Sequence, residues 1–312
     1  SFMFPVFSTI LIIYYGAQEV NLGFLTIGAL VGINVLNSRI YAPITRLSVY
    51  NTFLKNNGTT YYLSKNKNII KYENHDGVMP KIFKGEITLK DLSLGFNSNK
   101  SILFQRLNCT LPSGSTTVIS GYNSSGKTSL CNSLMGLIQP LKGNILFNDI
   151  DIKNYNIKYL RRNISYVPQE IELFNISIKD NIKINLDSSS SNYDNDGFLI
   201  KVIKMVGIDE FINNLTNGLD TEVRDNGKNI PRGIKKRIAL ARAIISDGKI
   251  IILDEPTSSL DFDGLKKLYK ILNDLRALKK TIIIASHDQN ILKSAGIIID
   301  LSVKPIPRIG VR

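Results

Sequence analysis

The chain has 312 residues, with 39 basic against 26 acidic side chains for a net charge of +13, and 43% of it is apolar. At roughly 150 residues per domain, this length holds about two domains and a full core. The composition excludes a mainly disordered chain, a collagen-like chain and a small disulfide scaffold. Its two cysteines, Cys109 and Cys131, are far apart with no histidine cluster nearby. They fit reduced thiols and neither a metal site nor a disulfide framework.

Residues 1–47 hold one acid, Glu19, and two bases, Arg39 and Arg46. Phe2 to Tyr15 is apolar, a polar break runs from Gly16 to Asn21, and Phe24 to Ile44 is a second apolar stretch. A spanning helix needs about 20 apolar residues. The second stretch is therefore expected to cross a membrane, and the first reads as the latter half of a spanning helix. Bases accumulate after it, at Lys55, Lys65, Lys67, Lys71, Lys81 and Lys84, which places the remainder of the chain on the cytosolic side. That distribution assigns the basic excess to membrane topology rather than to a nucleic-acid footprint. Asn34, Asn37 and Arg39 either line a path through the membrane or serve helix–helix hydrogen bonding and snorkelling. Residues 48–84 read as a helical extension and linker. His75 lies there as a loop residue with no assigned role.

From Gly85 the pattern becomes alternating strands and helices. Thr116 to Ser120 is a short β-rich run, followed by Gly121-Tyr122-Asn123-Ser124-Ser125-Gly126-Lys127-Thr128-Ser129 and then helical spacing of apolar residues. Strand, G-x-x-x-x-G-K-[ST], helix is a phosphate-binding arrangement. Glycines let backbone N–H groups curl round an anion, and the helix start adds its positive partial charge. Lys127 is expected on the terminal phosphates and Thr128 on Mg²⁺. Lys249 to Leu253 reads as a buried strand ending in Asp254-Glu255. There, Asp254 is a candidate Mg²⁺ partner and Glu255 a candidate base for the attacking water.

Over residues 85–302 these motifs resemble the ATP-binding cassette (ABC) family. The resemblance implies a stacking aromatic for adenine at Phe96 and a Q-loop glutamine at Gln169, which meets Mg²⁺ and the attacking water. It further implies a D-loop at Ser258-Ser259-Leu260-Asp261 and a switch histidine at His287. Leu25 to Leu30 and Arg39 to Ile44 resemble the last membrane helix of exporter half-transporters, nearest to type I protein-secretion and peptide exporters. The chain then looks like a fragment that lacks earlier membrane helices. The implied cofactors are ATP and Mg²⁺. The implied partners are a second half-transporter, a membrane-fusion protein and membrane lipid, with no nucleic acid. The implied location is an inner or plasma membrane, multi-pass, with the cassette cytosolic.

One slot departs from the family. Its Leu-Ser-Gly-Gly-Gln signature is replaced by Ile230-Pro231-Arg232-Gly233-Ile234, whereas the flanking Arg237, Ala239, Arg242 and Ala243 fit. Pro231 has neither hydroxyl nor N–H, and Arg232 adds bulk where the backbone approaches closely. Ser124 is a milder departure, standing where the loop usually has glycine. Sound phosphate machinery with a poor signature fits one half of an asymmetric dimer with one active site. A homodimer with two weak sites, exporting lipid or a small molecule, is the alternative, as is a partner that binds ATP without useful turnover. A soluble ATPase of the family is the remaining reading, and the apolar stretches argue against it.

The expected fold is α/β: a RecA-like P-loop cassette with antiparallel β and helical subdomains, preceded by transmembrane α-helices. Residues 85–120 are assigned to the antiparallel part, 115–168 and 237–302 to the RecA-like core, and 172–236 to the helical part. Ser188 to Asp196 is read as a solvated polar loop, and 303–312 as a short basic tail.

Overall fold

The computed structural model describes residues 3–56, 75–96, 101–186 and 195–311. The chain divides into two compact units, Ser1–Tyr72 and Glu73–Arg312. The expected linker over 57–74, most of the polar loop at 187–194, and the Phe96 side chain lie outside the described residues.

The first unit contains helices α1 (Met3–Asn21) and α2 (Ile27–Asn56). The expected polar break at 16–21 stays helical, and the turn falls at 22–26. Thr26 accepts a hydrogen bond from Ala29 N at 3.2 Å and so opens α2. Asn37 joins the helices: it accepts from Ser8 Oγ at 2.9 Å and donates to Thr9 Oγ1 at 3.4 Å. This matches the helix–helix alternative for Asn37. Among the described residues, no helix is long and apolar enough to cross a membrane. Gln18 and Glu19 end the apolar run of α1. Asn34, Asn37, Ser38 and Arg39 interrupt that of α2. Many large apolar side chains of the pair are nevertheless exposed, including Phe7, Tyr14, Phe24 and Val31.

In the second unit, the most apolar runs form a six-stranded sheet. Its members are β3 (Thr116–Ser120), β6 (Ile164–Val167), β7 (Ile250–Asp254), β8 (Thr281–Ala285), β9 (Ile297–Asp300) and β10 (Arg308–Val311), in the order β10-β9-β3-β8-β7-β6. All neighbours are parallel except β9 and β10. A parallel sheet is covered on both faces, so its strands read as unbroken hydrophobic runs, and β7 and β8 are buried throughout. Alternate residues then enter opposite cores. Ile251, Leu253, Ile282 and Ile284 join a core shared with the helices, whereas Ile250, Ile252, Ile283 and Ala285 join one shared with a second sheet.

That second sheet is antiparallel and contains β1 (Ile87–Phe96), β2 (Ser101–Leu111), β4 (Lys142–Phe147) and β5 (Ile150–Asp151), in the order β2-β1-β4-β5. Residues 142–151 therefore leave the RecA-like core assigned to them and complete the antiparallel part. Their core is aromatic, with Phe83, Phe147 and Tyr155 in mutual ring contact. The helices are α3 (Lys127–Leu134), α4 (Ile157–Arg162), α5 (Ile178–Lys183), α6 (Asp196–Val206), α7 (Asp209–Asn213), α8 (Arg232–Ile245), α9 (Phe262–Ala277) and α10 (Gln289–Lys293). Asn195, expected in a solvated loop, instead caps α6 through Phe198 N, and Asp196 pairs with Lys183 at 3.3 Å. Part of the expected basic tail, Arg308–Val311, forms β10 against β9, in the register Arg308↔Asp300.

Candidate nucleotide site

Strand β3 ends at Ser120 and helix α3 begins at Lys127, so residues 121–126 turn the chain at the C-terminal end of an interior strand. Two glycines are needed here. A Cβ on Gly121 would lie 2.5 Å from Ser125 Oγ, and Gly126 has φ +108°. Ser124 takes the left-handed conformation as well, at φ +61°, where its Cβ is disfavoured.

Lys127 is almost fully buried. It donates to Gly121 O at 2.8 Å and Tyr122 O at 3.3 Å, and lies 3.5 Å from Glu255 Oε1. Thr128 Oγ1 donates to Gln169 Oε1 at 3.5 Å, which joins the start of α3 to the end of β6. These groups surround a cavity of about 450 Å³ lined by Leu103, Asn123 to Ser129, Gln169 and Glu255. Tyr122 is not part of the lining and is 78% exposed.

Asp254 closes β7, fully buried, and neither carboxylate oxygen has a hydrogen-bond partner. Burial pushes its carboxyl above the usual range. Thr128 offsets this in part, without reaching ordinary hydrogen-bond geometry, and the neighbouring Glu255 adds to the rise. Glu255 has φ +44°, a strained backbone of the kind found at functional sites, held by Glu255 N donating to Ala285 O at 2.9 Å. His287 follows β8, and its Nδ1 stands 3.2 Å from Glu255 Oε2. Glu255 thus sits between an ammonium and an imidazole.

The residues present fit Mg²⁺. Two orphaned carboxylate oxygens, a hydroxyl and an amide oxygen converge from three elements, the hard oxygen set that ion requires. Among the described residues, no cluster of three or more His, Cys, Asp or Glu could hold a metal alone. The set is therefore one that nucleotide oxygens would complete.

Sequence reading missed Lys236. Inside the run Lys235-Lys236-Arg237 it resembles a solvated face, yet it is 2% exposed. Its Nζ donates to Pro168 O at 3.2 Å and Asp254 O at 3.3 Å, and burial pushes its ammonium down to about 8. Leu103, on the cavity wall, was missed too, since an isolated leucine in a strand carries no signal. Arg237 donates to Gly207 O at 2.6 Å and to Asp261 Oδ1 at 2.5 Å, while Asp261 caps α9 through Gly264 N. This ties residues 258–261 to α8.

The start of α8 is different in kind. Pro231 occupies the cap position with no side-chain hydrogen bond, and Arg232 is exposed. Arg232, Lys235 and Lys236 face Gln169 and Ser258 across a cavity of about 350 Å³.

Residues 104–258 match the family model described as ABC transporter. This region belongs to the ABC transporter family. The mitochondrial iron–sulfur clusters transporter ATM1 of Saccharomyces cerevisiae is 33% identical over 276 residues, 86% of this chain and 39% of that protein. An ATP-dependent lipid A-core flippase of Vibrio vulnificus is 30% identical over 216 residues, 69% of this chain and 36% of that protein. The structure of a bacterial Atm1-family ABC exporter with ATP bound shares the fold at a TM-score of 0.72 and 22% identity, covering 99% of this chain and 55% of that one. The chain spans about a third to somewhat over half the length of these relatives. Its second unit is a mixed α/β ABC nucleotide-binding domain.

Proposed function

We propose that the chain is the ATP-binding and ATP-hydrolysing part of a membrane ABC exporter. The observation that carries this is the buried, unpartnered Asp254 carboxylate beside Lys127, Thr128, Gln169 and Glu255. A buried carboxylate without a partner is unfavourable, and a cation brought in with a triphosphate would satisfy it. In this reading residues 121–129 hold the phosphates, Phe96 the adenine, and Thr128, Gln169 and Asp254 the Mg²⁺. Mg²⁺ supplies charge neutralisation on the phosphate oxygens. Glu255 takes the proton of the attacking water, Gln169 orients that water, and His287 contacts the terminal phosphate and holds Glu255 in place.

The apolar side chains exposed on α1 and α2 support a membrane setting, as does the 99% coverage by an exporter fold. We assign the pair to the end of a membrane domain whose other helices cover it, with the cassette cytosolic in an inner or plasma membrane. The substrate we propose is a polypeptide, on the resemblance of Leu25–Leu30 and Arg39–Ile44 to protein-secretion exporters. The relatives' names point to iron–sulfur clusters and lipid A instead, so this part stands on the N-terminal sequence alone.

Pro231 at the start of α8 favours a second element of the proposal: pairing with another half-transporter whose signature is intact, so that one of two ATP sites turns over. Retention of labelled ATP by the full chain, with Mg²⁺, tests the base of the reading. Lys127→Ala is expected to abolish retention. Equal retention by that variant would remove the phosphate loop from the site and the function with it.

A further inference from the structure

Beyond β9, the segment Leu301–Val311 makes an excursion before returning as β10. It is pinned at its start by Leu301 N, which donates to Ser120 O at 2.9 Å, the residue just before the phosphate loop. It is pinned midway by Pro305 O, which accepts from Gln105 N on β2 at 2.8 Å. Its end is paired with β9. Between the first two anchors stands Lys304. Its ammonium donates to Leu103 O and, at 2.9 Å, to Ser125 O, and lies 6.0 Å from the centre of the Phe104 ring. Lys304 is an exposed residue whose charged end is spent on two main-chain carbonyls.

Those carbonyls belong to residues on the nucleotide cavity's wall, Leu103 on one side and Ser125 on the other, while Lys304 itself is outside the lining. A trans peptide holds its C=O and N–H on opposite sides. With the Ser125 carbonyl turned out to the lysine, the N–H of Gly126 in the same peptide is turned inward. An inward N–H at this place is an anion donor at the start of α3. The loop needs such a restraint, because glycine at 126 leaves that peptide free to rotate.

We infer that Lys304 is a positioning residue for the nucleotide site, clamping the Ser125–Gly126 peptide in its phosphate-facing orientation and fixing the loop against β2. The inference rests on the proposed ATP site and adds to it a segment outside every motif of the sequence. Lys304→Met in the full chain is expected to weaken labelled-ATP binding about tenfold, the loss of about one charge-assisted hydrogen bond. Competition by adenosine, which has no phosphate, should be unchanged. Lys304→Arg, which keeps the donors, should stay within about threefold of the parent for ATP. Nucleotide-free melting curves of all three proteins should agree within about 2 °C. ATP binding by Lys304→Met within twofold of the parent would overturn the inference. An equal loss for ATP and adenosine would do the same, since it reports general damage to the pocket. A parent chain that binds no ATP would instead strike down the proposed function.

Discussion

Helices α3 and α8 of the cassette both start without a side-chain cap, and they start in opposite ways. Helix α3 is preceded by Gly126 and a loop whose backbone wraps a cavity. Helix α8 is preceded by Pro231, with Arg232 as its first residue. An uncapped helix start offers N–H groups to an anion. At α3 that offer is intact and reinforced by buried Lys127. At α8 the proline has no N–H to contribute, and a long cationic side chain stands where a backbone should come close. In the proposed reading, one end of the chain keeps the phosphate grip and the other lacks the complementary surface. That difference is expected if the two ends serve two different ATP sites.

The largest effect expected concerns the intact end. Glu255→Gln should lower ATP turnover about 10³-fold while labelled ATP is still retained, because a general base contributes on that order. Turnover at the parent rate would move the base elsewhere. At the other end, restoring a hydroxyl and a glycine with the double substitution Pro231→Ser, Arg232→Gly should raise the turnover of the chain paired with itself about 10²- to 10³-fold, in line with the worth of a transition-state donor. If the restored chain gains nothing, the asymmetry between the ends has no catalytic meaning.

Asp254→Asn sharpens the account of the intact end through stability. Replacing an unpartnered buried carboxylate by a neutral amide should stabilise the nucleotide-free fold by about 1–3 kcal/mol, read as a melting temperature several degrees higher. The sign with pH follows from the raised carboxyl of Asp254. Its folded form binds protons more readily than the unfolded chain, so the penalty is complete above the folded value and disappears below the ordinary one. The gap between parent and variant should therefore close as pH falls from 7 into the carboxylate range. A gap that widened on acidification would contradict the buried, unpaired state. The smallest effect is at Ser124, whose left-handed backbone costs about 1 kcal/mol. Ser124→Gly should tighten ATP binding a few-fold in a titration, and weaker binding would give the serine side chain a positive role.

How much of this could be read from the chain depended on how far apart the partners lie. Residues 121–129 are contiguous and their chemistry is local, so the loop was legible without a fold. Glu255 and Asp254 were legible because an all-apolar strand pointed to them. The proximity of Thr128 to Gln169 came only from a family pattern, since 41 residues separate them in sequence. The antiparallel sheet was half seen: β4 and β5 follow a helix and read as part of the parallel core, but their pairing with β1 spans some fifty residues. Strand β10 was hidden by Pro305 and Pro307, which mark a loose tail in sequence and are tolerated at a sheet edge. The apolar N-terminal runs were legible only as composition: they invite a membrane span, while Asn34, Asn37 and Arg39 fall within the stretch that would have to cross, and no helix among the described residues is long and apolar enough to do so. Lys236 and Lys304 were invisible, because a lysine's destination depends on which carbonyls the fold leaves within reach of a flexible stem.

Lys236 also governs how the cassette can deform. Its one ammonium grips the carbonyl just before Gln169 and the carbonyl of Asp254. A tilt of helix α8 would have to break these two bonds or carry the ends of β6 and β7 along with it. While the bonds hold, the hinge of such a tilt lies outside this three-way joint.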